Sequence, residues 1–268
     1  MIKKISSDVQ KLAMRIVLGF VFIISGYKIL FPADSVGLAT SYSSASTGWI
    51  SPFFVDWITN ILGLDIAAYL AIQGGIEMFV GIMVLLGIFT PISAIVMALI
   101  YWAIIAASPI VGEIRLSRDV TLALFSAAIA WYGPGKYSFD AKCPVWYVEG
   151  KESLFSFFVR FGLGFTMVVS SLFFWGPMAN ALNSTIPVFF VFALGALLML
   201  NIQTKWVAGL TFLFLIYAIG DTMLSKETLF KAFDGTKREL AFAVGAFLLF
   251  MIKDRDTILT PKWLQKWS

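Results

Sequence analysis

From residue 12 to residue 252 the chain is a succession of eight apolar stretches, at about 12–31, 66–88, 91–108, 116–133, 155–176, 185–201, 205–221 and 237–252. A hydrocarbon core ~30 Å thick is crossed by about 20 helical residues, and inside it every backbone polar group must find its partner within the protein. Helices are the structure open to such stretches. The expected fold is therefore all-α, a polytopic membrane protein of about eight transmembrane helices. Composition agrees, with 59% hydrophobic and only 13% charged residues, where a soluble domain carries about a quarter charged. The first stretch reads as a span and not as a cleavable signal peptide, since no small-residue cleavage site followed by a soluble domain comes after it.

The side chains that are missing narrow the chemistry. The sequence has one cysteine, Cys143, and no histidine. An intrachain disulfide, a CxxC redox pair, a His haem ligand, a His zinc site and a Ser-His-Asp triad are all excluded. The chain is expected to hold no haem or metal, so any redox chemistry uses a diffusible carrier such as a quinone or a cofactor on a partner. The 20 basic residues against 16 acidic ones are scattered between spans and form no basic groove, which argues against nucleic acid. They read instead as topology. With eight spans, Lys3, Lys4 and Lys11, then Lys136, Lys142 and Lys151, then Lys253, Arg255, Lys262 and Lys266 all fall on one side. That side is assigned to the cytoplasm, with both termini, of a multi-pass protein in the cell (plasma) membrane. Asp34, Asp56, Asp65, Glu113, Asp221, Glu227 and Asp234 fall on the other side, together with Lys226, Lys231 and Lys237.

The two halves resemble each other. RIVLGF at 15–20 matches RFGLGF at 160–165, and GIMVLLGIFT at 81–90 matches GALLMLNIQT at 195–204. Arg118-Asp119 matches Arg238-Glu239 at the head of the last span of each half. Three landmarks in one order predict tandem four-helix bundles, residues 1–142 and 143–268, related by an axis along the membrane normal. The join holds a Gly-Pro-Gly stop at 133–135. The long outer loop, about 32–65, contains FFVDWITNIL, which suits a short amphipathic helix at the membrane surface with Trp49 and Trp57 at the interface.

Glu77 lies midway along the second span, where a charge costs roughly 3 kcal/mol or more. Tyr69, Gln73 and Glu77 share a helix face and make a polar stripe, with Gly74 and Gly75 beside it open to close packing. The stripe is either a buried ion pair that fixes helix packing or a polar pocket that hydrogen-bonds a quinone head group and relays its protons; a proton or ion pathway is a further reading. The position aligned with Glu77 is Val191, which favours a site confined to the first half. A cation from the first or fourth span is the expected partner. Tyr101 and Trp102 lie at a similar depth in the third span, Lys28 is placed to meet Asp119, and Arg118 is left for Glu77 or an anion. Lys28, Arg115 and Arg118 form a candidate oxyanion cluster. Arg15 and Arg160 open the two halves, and each can also be read as an interfacial arginine.

The motifs LAMRIVLGFVFIISGYKIL, IEMFVGIMVLLGIFTPISA and RDVTLALFSAAIAWYGPGKYSFDA together resemble the DoxX/DoxD family of four-helix membrane proteins, over about residues 10–142. That family includes the small subunit of thiosulfate:quinone oxidoreductase. The second half looks like a degraded copy that lacks the Glu and the Gly-Pro-Gly exit. The resemblance implies a membrane subunit that passes electrons to quinone, acting with a second redox subunit or within a larger respiratory complex. By motif position it carries over Arg15, Lys28, Glu77, Arg118 and Asp119 as functional residues. The resulting expectation has Glu77, Arg118 and Asp119 at the reaction, Gln73, Tyr101, Trp102 and Arg15 at the quinone, and Lys28 and Arg115 at an oxyanion sulfur donor. A non-catalytic anchor or scaffold subunit and a small-anion transporter are the alternatives.

Overall fold

The computed structural model describes residues 6–44, 50–108, 116–142, 152–173, 188–226 and 228–252. Among these residues are ten α-helices. They are α1 (Ser7–Leu30), α2 (Ser35–Ser43), α3 (Pro52–Asp56, continued by a π turn over Trp57–Ile61), α4 (Ile66–Leu86), α5 (Thr90–Ala107), α6 (Leu116–Tyr132), α7 (Glu152–Phe173), α8 (Val188–Met199), α9 (Thr204–Leu224) and α10 (Leu229–Met251). Five of them, α1, α4, α5, α7 and α9, are long and apolar enough to cross a membrane, and α8 is a shorter apolar helix. The chain is a polytopic helical membrane protein. A helix lies over every stretch expected to span. The last one begins at Leu229, well before the expected 237, because Thr228 caps it by accepting from the Lys231 amide at 3.3 Å. FFVDWITNIL is helical as expected, in the form of α3 and its π turn.

Glycine sets the tightest packing. A Cβ on Gly19 would lie 2.8 Å from the Gly81 carbonyl oxygen, and one on Gly26 would lie 2.5 Å from that of Gly74. The glycines are seven apart on each helix, so α1 and α4 run antiparallel in backbone contact over two turns. Gly74 takes part in this contact, whereas Gly75 faces open space. In the second half Gly164 meets Gly195 in the same way, at 2.7 Å.

The turns after α4 and α8 also share a geometry. Gly87 and Phe89 have φ of 73° and 46°, and Asn201 and Gln203 have φ of 58° and 47°. An arginine closes each. Arg15, fully buried, donates to the Tyr137 carbonyl at 2.7 Å and packs on Gly87, while Arg160 donates to the Leu198 and Met199 carbonyls at 2.7 and 2.6 Å. The segment after the Gly-Pro-Gly stop folds back beneath α4 and α5, where the Asp140 carboxylate accepts from the Phe89 and Thr90 amides at 2.8 and 2.7 Å. Arg15 therefore belongs to the closure of this end.

Among the described residues the halves meet chiefly along two helix pairs. α6 packs on α7, with the Thr121 hydroxyl donating to the Gly162 carbonyl at 2.7 Å and touching Thr166. α10 packs on α1, with Phe20 and Phe233 edge to face at 6.0 Å. Between them the charged doublets cross-pair: Arg118 with Glu239 at 2.9 Å, and Arg238 with Asp119 at 3.3 Å.

Candidate functional site

At the end of the bundle where α1 and α5 finish and α4, α6 and α10 begin lies a cavity of about 600 Å³. Its roof is α2 with Ile50. Two bonds hold the roof down: the Ile50 amide donates to the Tyr42 carbonyl at 2.9 Å, and the Ser51 amide donates to the Ala107 carbonyl at the end of α5 at 2.7 Å. Beneath it a small apolar cluster of Ile29, Ile50, Ile58 and Leu70 ties α2 and α3 to the ends of α1 and α4. Asp34 starts α2 and Asp65 starts α4, each accepting an amide bond from three residues on, at 2.9 and 2.6 Å.

The wall on α4 carries the polar stripe. Gln73 donates to the Glu77 carboxylate at 2.8 Å, and Glu77 is 3% exposed. The expected cation from the first or fourth span is not its partner. The charged side chains close enough to act on Glu77 are Lys237, Arg238 and Asp119, two of the three from α10. Tyr101 closes the floor with its ring edge to face with Phe22 at 5.0 Å. Tyr42 hangs from the roof. Burial, and then the nearby Glu77, push its hydroxyl up to about 12, so it stays protonated and able to donate at neutral pH.

The expected site residues divide into three groups. Glu77, Gln73, Tyr101, Lys28, Arg118 and Asp119 all line this one cavity. Trp102 does not: it is 47% exposed on the outer surface, one position round the helix from Tyr101. Arg15 does not either, since it closes the opposite end of the bundle. Arg115 lies outside the described residues.

The expected pairing was also wrong in its partners. Lys28 meets Asp234 at 2.8 Å and not Asp119, and Asp234 also holds Lys237 at 2.7 Å. Arg118 is engaged by Glu239 and Asp119 by Arg238. The site is not confined to the first half, because Asp234, Lys237 and Arg238 of α10 line it. Sequence misses these three because the aligned Val191 points to a site confined to the first half, and Asp234 also because the apolar stretch starts only at 237. The signal was present in Thr228 as a cap, with Asp234 and Arg238 one turn apart behind it.

The family comparison bears on the same helices. Residues 10–108 match the family model described as DoxX. That stretch is similar to DoxX domains. It runs from α1 through α5 and contains Lys28, Gln73, Glu77 and Tyr101, while the α6 and α10 charges lie beyond it. The resemblance read from sequence is thus borne out over residues 10–108, and its third motif, at 118–141, lies past the matched residues. No curated protein and no solved structure matches the chain.

Proposed function

We propose that the chain is the membrane subunit of a quinone-linked oxidoreductase of the thiosulfate:quinone kind, and that the cavity under α2 takes the quinone head group. The observation that carries this reading is the Gln73–Glu77 pair, 2.8 Å apart on the wall of a cavity that is rich in Ile and Tyr on one side and bordered by the paired charges of α1, α6 and α10 on the other. Small-molecule sites are concave, of ~300–1,000 Å³, mainly apolar with a few placed polar groups. This one, at about 600 Å³, fits a flat apolar ring with carbonyls to be hydrogen-bonded.

A bound quinone supplies the acceptance of two electrons and two protons. The chain's own part is to hold the ring and manage a proton. Glu77 is the group able to carry one at this depth, Gln73 fixes the orientation of its carboxylate, and the Tyr42 and Tyr101 hydroxyls are donors on the roof and floor. The electrons come from outside the chain, which has no histidine and a single cysteine. A second redox subunit is the source, and joining two thiosulfates into tetrathionate releases the two electrons required. Of the cations expected to gather such an anion, Lys28 and Arg118 are held in ion pairs, so donor binding is assigned to the partner. The same pairing disfavours a small-anion transporter. A non-catalytic anchor is favoured by the lack of histidine and paired cysteine, and it predicts no quinone binding by the purified chain.

We place all eight long helices across the cell membrane with both termini in the cytoplasm, in support of which the Lys-bearing ends of α1 and of the 133–142 segment lie together. We read residues 1–142 and 143–268 as two four-helix units about a pseudo-twofold axis. The repeated Gly–Gly contacts, the repeated arginine-closed turns and the reciprocal Arg118–Glu239 and Arg238–Asp119 pairs support this. The experiment is quinone titration of the purified chain in lipid nanodiscs, with turnover of the complex carrying Glu77→Gln. The expected result is saturable binding by the wild type and a loss of roughly 100-fold in quinone reduction in the variant, in the range of general acid–base contributions. No binding, together with full turnover of the variant, overturns the reading.

A further inference from the structure

The cavity has an incomplete wall. On α4, Ile72 and Ile76 line it, yet they are 52% and 46% exposed. Across from them on α5 stand Ile100, Ala103 and Ile104, and Ala103 is exposed as well. α4 and α5 are joined by the tight turn at 87–89, but α1 with α4 and α5 with α6 meet far more extensively than they do. Both helices are long and apolar enough to cross a membrane, so the medium outside the gap is hydrocarbon. The rim of the gap is wholly apolar. The mouth beneath α2 is different, carrying Lys28, Ser41 and Asp234.

The charges inside add a second constraint. Lys28, Asp234 and Lys237 are bound to one another, as are Arg118 with Glu239 and Asp119 with Arg238. A charged head group at the inner wall would have to break the Arg118–Glu239 or Arg238–Asp119 pair, and a buried pair is costly to break. An uncharged one need only meet Gln73, Glu77 and the tyrosine hydroxyls.

We propose that the gap between α4 and α5 is a lateral portal: the cavity is loaded from the lipid phase by an amphiphile with an uncharged, hydrogen-bonding head, whose apolar tail runs out between Ile72 and Ile76 on one side and Ile100, Ala103 and Ile104 on the other. This rests on the cavity being the head-group site and adds a long tail to the quinone class it takes. Membrane solubility becomes a condition of entry, and the α2 roof a barrier to water.

The test uses the full chain in phosphatidylcholine vesicles and two photoreactive probes, a long-chain alkyl diazirine dissolved in the bilayer and a charged, water-soluble diazirine. Adducts are mapped by peptide mass spectrometry. Ile76→Trp with Ala103→Trp fills the gap, Ala103→Phe alone is a milder block at an exposed position, and Phe79→Trp, on the exposed outer surface of α4, is the control. The expected result is lipid-borne labelling of the 69–77 stripe that falls by an order of magnitude in both blocked proteins and is kept in the control. Labelling of the stripe that is indifferent to the blocks, absent, or produced only by the water-soluble probe overturns the portal. Binding of a decyl-tailed and a tailless quinone to the same proteins separates the two readings. Portal-dependent labelling without binding of either quinone sinks the quinone function and leaves the portal standing. Tailed-quinone binding unaffected by the blocks sinks the portal and leaves the function standing.

Discussion

Glycine and glutamate carry most of the information at the scale of single residues. Gly26 and Gly75 are both helix-interior glycines on contacting helices, yet their surroundings differ completely. A Cβ on Gly26 meets backbone of α4 at 2.5 Å on two sides, and one on Gly75 meets nothing within 4 Å. Gly26→Ala is expected to cost about 1–3 kcal/mol through overpacking, and Gly75→Ala to be neutral. Thermal denaturation in detergent, followed by fluorescence of the native tryptophans, compares them directly. Sequence placed both Gly74 and Gly75 at the packing surface, and only Gly74 is there. Period alone cannot separate adjacent positions when the whole helix is apolar, since no polar face marks the direction of lipid. Glu77 and Gln73 were legible for the opposite reason: a polar pair one turn apart is conspicuous in an apolar run.

At the scale of elements, caps and turns decide where helices stop. The α4–α5 turn places Phe89 at φ 46°, a conformation that costs a bulky residue energy, and Asp140 compensates by accepting the two amides at the start of α5. Asp140→Ala removes both acceptors. A loss of about 1–2 kcal/mol is expected, with faster proteolysis in the 133–142 segment as the more specific readout. Equal protease sensitivity in wild type and variant would refute this role. The reach of Asp140 back to α5, fifty residues away, could not be read from local sequence, because a carboxylate in a Gly-Pro-Gly loop gives no sign of which helix it caps. α10 was misread for a simpler reason. Its first turns carry Lys231, Asp234 and Lys237, and a hydropathy window ends where charges begin, although the helix does not.

For the whole molecule, the reciprocal charge pairs are the contact that joins the two halves beside the cavity. Glu239 is 1% exposed and Arg118 only partly so. Glu239→Gln removes the carboxylate from the Arg118–Glu239 pair and is expected to destabilise by about 3–5 kcal/mol, whereas the exchange Arg118→Glu with Glu239→Arg restores part of that loss. A double-mutant cycle on thermal stability measures the coupling, and additive single effects would show that the pair does not bridge the halves. The exposed Lys28–Asp234 bridge is a useful contrast. Its lysine is 56% exposed, and Lys28→Ala is expected to change stability by no more than about 1 kcal/mol.

Sequence by itself determined that the chain is helical and membrane-embedded, where its apolar stretches lie, and that Glu77 with Gln73 belongs to a polar feature inside them. Hydrocarbon imposes those conclusions, because it tolerates neither open backbone nor stray charge. Tertiary structure alone decided which charge meets which. Sequence gives a residue's depth along its own helix but not the direction in which that helix turns it, so Lys28 and Asp119, expected to pair, each found a partner on α10. The same limit hid the incomplete wall between α4 and α5, which exists because these two helices pack less closely than α1 with α4 or α5 with α6.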